Sequence, residues 1–203
     1  YAFAIGLLCF PHWMFSQQSE QKKPNIIFIM ADDMGYETVG CYGNDHIQTP
    51  NLNNMAEQGM MFTQAYSTPL STPTRVQVMT GKYNFRNYIG FGLLDEEETT
   101  FGDLLEEAGY VTGITGKWQL LGYERQQELA GGQRGSYPTD VGFDEYCLWQ
   151  VDALGARYKH PTISTKERGR WHSRFRRHET QVHAGQYGPD VFTDFAIDFM
   201  EKH

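Results

Sequence analysis

Short apolar runs alternate along the chain with segments whose apolar residues recur at helical spacing, and this alternation constrains the fold most. Residues 25–30 form a nearly continuous apolar run of strand length, which is typical of a buried strand in a parallel sheet. Residues 60–66 and 110–115 predict two further strands. The order of these segments predicts an α/β fold with a mainly parallel, mixed sheet and helices on both faces.

Four helices are predicted from residues that favour helix ends. Thr49 and Pro50 suit the N-cap and the first helical position, and Gly59 suits the C-terminal cap of the same helix. Similar boundary residues predict helices at residues 50–59, 71–81, 100–109 and from 188 onward.

Two regions do not follow this alternation. Residues 121–186 have no clear period, so we expect a loop-rich insertion at the functional edge of the sheet. Residues 1–18 are apolar at first and then polar, like a secretory signal cropped at its start; a buried strand or helix is the alternative. A signal predicts a secreted or periplasmic protein. Beyond Phe15 no apolar run is long enough to predict a membrane span.

Charge is distributed unevenly along the 203 residues. The net charge of -8 argues against a general nucleic-acid-binding protein, and three cysteines exclude a disulfide scaffold. Eight basic residues and one acid nevertheless lie between Arg157 and Arg177, a segment we call the basic strip. It predicts recognition of a sulfated polysaccharide, binding of a nucleic acid, or simply a solvated surface.

Asp32 and Asp33 directly follow the predicted strand at residues 25–30. Ligands of open α/β sheets bind at the carboxyl ends of the strands. Two adjacent carboxylates there are costly unless a cation neutralises them, and a hard divalent cation such as Ca²⁺ or Mg²⁺ meets that need. A turn that ends the strand is the alternative explanation.

Two further segments place candidate catalytic residues beside helix or strand ends. Pro73 favours a helix start, which puts Ser71 at the N-terminus, where free N–H groups attract anions, with Arg75 one turn inside. Lys117 follows the strand at residues 110–115 and would reach the same edge as the aspartates. An ordinary helix cap and a surface lysine are the respective alternatives.

These segments together resemble the sulfatase family, a branch of the alkaline phosphatase superfamily. The family signature is Cys or Ser, any residue, Pro, any residue, Arg, and residues 71–75 match it. Further matches are residues 24–35 with the aspartate pair, residues 49–52, residues 79–81 and residues 116–118. The resemblance continues more weakly to the end of the chain, so that residues 24–203 are expected to form the N-terminal part of a sulfatase catalytic domain with an alkaline-phosphatase-like fold.

The resemblance implies a sulfuric ester hydrolase of the arylsulfatase type that acts on sulfated carbohydrate. Ser71 would be oxidised to formylglycine by a formylglycine-generating or anaerobic sulfatase-maturing enzyme, and its hydrate would attack sulfur and later expel sulfate. Asp32, Asp33 and residue 71 would bind the metal, Ca²⁺ or alternatively Mg²⁺. Arg75 would orient residue 71, and Lys117 would hold a sulfate oxygen.

Two departures from the family pattern affect these expectations. Gln119 stands where the family often has histidine, and it can bind a substrate oxygen but cannot shuttle a proton near neutrality. The later metal ligands of the family have no counterpart before His203, so we expect a fragment with impaired activity. The alternatives are a phosphatase, phosphonate hydrolase or phosphodiesterase of the same superfamily, and a non-catalytic protein that binds sulfated glycans.

Overall fold

The computed structural model describes residues 23–167 and 178–203, and the chain divides into two compact units, residues 1–60 and 61–203. The predicted secretory signal, residues 1–18, and residues 168–177 of the basic strip lie outside the described residues. None of the helices in the described part of the chain has the length and apolarity that crossing a bilayer requires.

Two of the predicted strands are wrong. Residues 25–30 and 60–66 have no regular secondary structure, and their side chains are exposed, Ile29 by 79% and Phe62 by 65%. A strand exists only where a neighbouring strand accepts its backbone hydrogen bonds. The apolar composition of these segments favours burial. It does not indicate whether another strand lies beside them to pair with their backbone.

Helix α1, Pro50–Gln58, confirms the first predicted helix within the unit of residues 1–60. Thr49 occupies the N-cap position, but its side chain makes no capping hydrogen bond there. Its hydroxyl instead accepts from the N–H of Gly40 at 2.8 Å and donates to Oδ1 of Asn53 at 3.1 Å. Thr49 therefore ties α1 to the short 3₁₀ turn Gly40–Tyr42 that precedes it.

The described residues of the unit 61–203 form four α-helices and four strands. In chain order they are α2 (Ser71–Thr80), α3 (Phe101–Glu107), β1 (Gly113–Lys117), α4 (Glu124–Leu129), β2 (Glu145–Trp149), β3 (Thr162–Lys166), β4 (Glu179–Val182) and α5 (Gly188–Lys202). The helices predicted from the Ser71, Thr100 and Gly188 boundaries are confirmed. The segment predicted to be loop-rich also contains the short elements α4, β2, β3 and β4.

The four strands form one mixed sheet in the order β1-β2-β3-β4. The pair β1–β2 is parallel, with Gly113 opposite Glu145 and Lys117 opposite Trp149, whereas β2–β3 and β3–β4 are antiparallel. The α/β class is confirmed, but parallel pairing does not dominate among the described strands. Because β1 and β2 are parallel, their carboxyl ends meet at one edge of the sheet.

Helices pack on both faces of this sheet. Phe199 of α5 lies against Gly113, where an added Cβ would approach the ring to 2.8 Å, and Thr115 donates to the carbonyl of Phe192 at 3.1 Å. The opposite face carries the apolar core. The core residues share near-complete burial and include Val76, Met79, Leu94, Trp118, Leu120, Val141, Phe143, Tyr146 and Leu148.

Both cysteines in the described residues, Cys41 and Cys147, are free thiols. Cys147 lies on β2, and burial raises the pKa of its thiol to about 12, with the hydrogen bond to Thr115 opposing the shift. The thiol is therefore protonated at neutral pH and serves as a small apolar side chain in the sheet.

Thr100 links α3 to the core. Its hydroxyl accepts from the N–H groups of Gly102 and Asp103, and the Asp103 carboxylate accepts in return from the Thr100 N–H at 2.7 Å. The same hydroxyl lies 2.9 Å from the carbonyl oxygen of Val141, to which it donates. This capping box thus also fixes the helix to the turn before β2.

We expect Thr100→Ala to lower the free energy of unfolding by about 1–3 kcal/mol, because it removes a helix cap and a buried hydrogen bond. Urea denaturation followed by far-UV circular dichroism measures the change. Thr99→Ala is the matched control, since Thr99 is exposed and should change stability by less than about 0.5 kcal/mol. Equal losses in the two variants would contradict this account of α3.

Candidate active site

Ser71 is the first residue of α2, as the sequence predicts. The preceding Leu70 is extended, with φ -111° and ψ 151°, and Gly81 ends the helix in a left-handed conformation with φ 65°. Pro73 is tolerated in the first turn, where the backbone N–H groups have no intrahelical partner. Val76 and Met79 are buried in the core and hold the helix axis, so that its N-terminus lies at the edge of the sheet.

Lys117 is the last residue of β1, and its side chain reaches α2. The Nζ atom donates a hydrogen bond to the Ser71 hydroxyl over 3.1 Å. The two residues are 46 positions apart in the chain, so the fold brings them together. An ammonium group and the positive end of a helix dipole therefore converge on one hydroxyl, an arrangement that favours a bound anion.

Arg75 connects the same two elements through backbone carbonyls. Its guanidinium Nη2 donates to the carbonyl oxygens of Lys117 and Trp118 at the end of β1. This contact links α2 to the end of β1, whereas the orienting of residue 71 by Arg75, which the family resemblance implies, stays a prediction. A planar guanidinium suits two neighbouring acceptors better than an ammonium group does.

Gln119 and Gln150 lie side by side just beyond the ends of β1 and β2. The Gln119 N–H donates to the carbonyl of Gln150 at 3.1 Å, which extends the parallel ladder by two residues. Both are left-handed, with φ 50° and 62°. For residues other than glycine this conformation costs on the order of 1 kcal/mol or more, and such strain concentrates at functional sites.

The sequence predicts Gln119 as a substrate-binding residue but does not single out Gln150. The signal was available, because a glutamine follows the apolar segment at residues 145–149 just as one follows Lys117 and Trp118. It was overlooked because β2 falls in the segment predicted to be loop-rich. Residues near these glutamines that were also overlooked are Tyr123, Gln126 and Asp152.

Asp32 and Asp33 lie in the unit of residues 1–60. Asp32 is half-buried, whereas Asp33 is exposed and left-handed with φ 59°. Consecutive carboxylates are oxygen donors that fit a hard divalent cation, although two of them fall short of the roughly six or more ligands that Ca²⁺ takes. Within residues 23–167 and 178–203 no group of three His, Cys, Asp or Glu side chains is arranged to hold a metal. The convergence of this pair with Ser71 stays a prediction.

The described end of the basic strip includes Arg157. Its guanidinium carbon lies 4.7 Å from the ring centre of Tyr158 and 5.6 Å from that of Trp149. These distances are typical of cation–π contacts, which give Arg157 a packing role beside β2. Residues 168–177, which include Arg174, Arg176 and Arg177, lie outside the described residues, so the polyanion-binding hypothesis stays a prediction.

The chain belongs to the sulfatase family, since the family model described as Sulfatase matches residues 24–203. The chain is 38% identical to an N-acetylglucosamine-6-O-sulfatase of Bacteroides thetaiotaomicron over 193 residues, which are 92% of this chain and 29% of the relative. It is 31% identical to arylsulfatase G of Rattus norvegicus, covering 97% of this chain and 36% of that protein.

Solved structures agree with this assignment. The crystal structure of Ps i-CgsB superposes with a TM-score of 0.69 at 26% identity, covering 89% of this chain and 42% of that one. The chain therefore spans less than half the length of each of these sulfatase-family relatives and neighbours. The likeness supports the α/β fold predicted from the sequence.

Because Arg75 bridges α2 and β1, we expect Arg75→Lys to destabilise the chain by about 1.5–3 kcal/mol, the range for hydrogen bonds to a charged group. Chemical denaturation measures the loss. Arg125→Lys is the matched control: Arg125 is exposed on α4 and pairs with Glu128 at 3.1 Å, so its loss should stay below about 0.5 kcal/mol. A stability of Arg75→Lys equal to that of the control would argue against the bridging role.

Proposed function

We propose that the protein is a sulfuric ester hydrolase that acts on sulfated carbohydrate, with residue 71 as its nucleophile after oxidation of Ser71 to formylglycine. The observation that carries the proposal is the hydrogen bond from Lys117 to Ser71 at the N-terminus of α2, 3.1 Å long. This contact shows that the proposed nucleophile, the ammonium group of Lys117 and the positive end of the α2 dipole lie together. The charge of a sulfate group would be stabilised there.

The names of several relatives support carbohydrate as the substrate class. An N-acetylglucosamine-6-O-sulfatase and an N-acetylgalactosamine-6-O-sulfatase of Bacteroides thetaiotaomicron are 38% and 44% identical to the chain over the matched segments. The Ps i-CgsB structure was also solved in complex with k-i-k-neocarrahexaose, and the chain superposes on that complex with a TM-score of 0.68. A sulfated glycan is accordingly the proposed substrate.

The roles of the residues follow from their chemistry. Lys117 holds a sulfate oxygen and stabilises negative charge on the oxygen of residue 71, while Arg75 keeps α2 and β1 in register. Gln119 donates from its amide to a substrate oxygen. Asp32, Asp33 and residue 71 would hold a divalent cation, Ca²⁺ or alternatively Mg²⁺, which would neutralise the charge of the sulfate ester.

The proposal includes a partner and a location. Conversion of Ser71 requires a formylglycine-generating or anaerobic sulfatase-maturing enzyme. Secretion or export to the periplasm is proposed from the signal-like composition of residues 1–18.

Mass spectrometry of the peptide that contains Ser71 tests the modification. After co-expression of the complete gene product with a maturation enzyme, we expect a peptide lighter by two hydrogen atoms, because an alcohol has become an aldehyde. The same peptide from Ser71→Thr should keep its unmodified mass, since a threonine side chain cannot become an aldehyde. An unmodified wild-type peptide together with a phosphorylated or phosphatase-active product would favour the phosphatase alternative.

Release of sulfate from 4-nitrophenyl sulfate and from a sulfated monosaccharide tests the chemistry. We expect Ser71→Thr and Ser71→Ala to lose turnover on the order of a thousandfold or more, because neither side chain can form the aldehyde hydrate that acts as the nucleophile. Lys117→Met should lose about a hundredfold to a thousandfold, and Lys117→Arg less, since it keeps the positive charge. Full activity of Ser71→Thr would contradict the proposed nucleophile.

A further inference from the structure

A groove that is open to solvent lies at the carboxyl ends of β1 and β2, two residues beyond Lys117. Gln119 and Gln150 form one wall, Tyr123 and Gln126 at the start of α4 another, and Asp152 and Leu154 the third. The enclosed space is only about 20 Å³, so a ligand would lie along the open groove and not inside a cavity.

The two glutamines that end the strands have unused hydrogen-bonding capacity. The Oε1 atoms of Gln119 and Gln150 are both buried and accept no hydrogen bond from any described residue. Buried amide oxygens without a donor are rare and costly. Rotation about the terminal side-chain torsion of glutamine meets only a shallow barrier, so each amide can turn toward the groove and accept from a ligand hydroxyl.

The charges around the groove select a neutral ligand. Asp152 is the charged side chain among the described residues that line it, and its carboxylate already binds His178 Nε2 at 2.6 Å and Thr180 Oγ1 at 3.3 Å. A sulfate group would be repelled here and attracted instead to Lys117. Amides, a carboxylate and the half-exposed ring of Tyr123 together match the hydroxyl groups and the apolar face of a sugar.

We propose that this groove binds the neutral, hydroxyl-bearing ring of the substrate, and that Gln119 and Gln150 determine which sugar is accepted. The inference rests on the proposed function only in that the bound ring carries the sulfate ester hydrolysed at residue 71. The hydroxyl groups of the ring donate to the two amide oxygens, and the amide N–H groups donate in return to ring or hydroxyl oxygens. The left-handed backbone of both glutamines sets their side chains at this edge.

Saturation-transfer NMR with unsulfated N-acetylglucosamine and with galactose tests the groove without requiring catalysis. We expect contact signals from at least one of the two sugars with the wild-type chain. Gln150→Met, which keeps the side-chain length and removes the amide, should weaken them roughly twofold to tenfold, the range for one neutral hydrogen bond. Gln181→Met is the matched control on exposed β4 and should keep the wild-type signals.

Gln150→Glu serves as a second variant if Gln150→Met does not fold, as judged by circular dichroism. It retains one acceptor oxygen and loses the donor, so an intermediate loss is expected. Absence of signal from both sugars with the wild-type chain would overturn the proposal. Equal signals from the wild type, Gln150→Met and Gln181→Met would overturn it as well.

Kinetics on the complete gene product separate this inference from the proposed function. For Gln150→Met, the ratio of kcat/KM for N-acetylglucosamine-6-sulfate to that for 4-nitrophenyl sulfate should fall roughly twofold to tenfold. An equal fall for both substrates would overturn the sugar groove and leave the sulfatase function standing. Sugar binding that depends on Gln150 without any hydrolysis would support the groove and overturn the proposed function.

Discussion

The contact between the Arg75 guanidinium and the carbonyl oxygens at the end of β1 is the interaction on which the candidate site depends. Lys117 and Ser71 meet through two side-chain atoms 3.1 Å apart, and a lysine side chain alone is too flexible to fix that distance. Arg75 supplies the missing constraint because it joins the backbone of β1 to the first turns of α2. The buried side chains of Val76 and Met79 then hold α2 against the core. The hydrogen bonds of Arg75 and the burial of Val76 and Met79 together fix the position of the Ser71 hydroxyl.

Because β1 and β2 pair in parallel, charged and neutral polar side chains lie together at one edge of the sheet. Parallel strands end on the same side, so Lys117 and Gln119 from one strand and Gln150 from the next lie at one edge. Positive charge is concentrated at Lys117 and the N-terminus of α2, while the amides of the two glutamines lie farther along. A substrate with one anionic group and one neutral ring would find a complementary surface for each part. This separation follows from the topology and needs no conformational change.

Helix positions could be predicted from the sequence because their signals are local. Thr100 with Asp103 and the Gly188–Pro189 start lie within a few residues of the helices they begin, and α3 and α5 follow as expected. Strands were predicted poorly because their partners are distant. Residues 25–30 are apolar yet exposed, whereas Glu145 begins β2 and is buried, its carboxylate held by Lys202 at 2.7 Å. A buried acid paired 57 residues away looks like a surface residue in the sequence. Of the candidate site, Ser71, Arg75 and Lys117 were predicted, and Gln150 was missed with β2.

The contact between Lys117 and Ser71 also bears on how residue 71 would react. An ammonium group has three donors and no acceptor, so Lys117 donates to the hydroxyl oxygen and cannot remove its proton. The contact therefore stabilises an oxyanion without generating one. Under the proposed function this is an advantage, because the hydrate of an aldehyde has two hydroxyl groups and can release sulfate by losing a proton from the second. A plain serine sulfate would need water to attack at sulfur, close to the same positive charges that hold the ester. Under the proposed function, the route by which sulfate leaves therefore favours formylglycine at residue 71 over an unmodified serine.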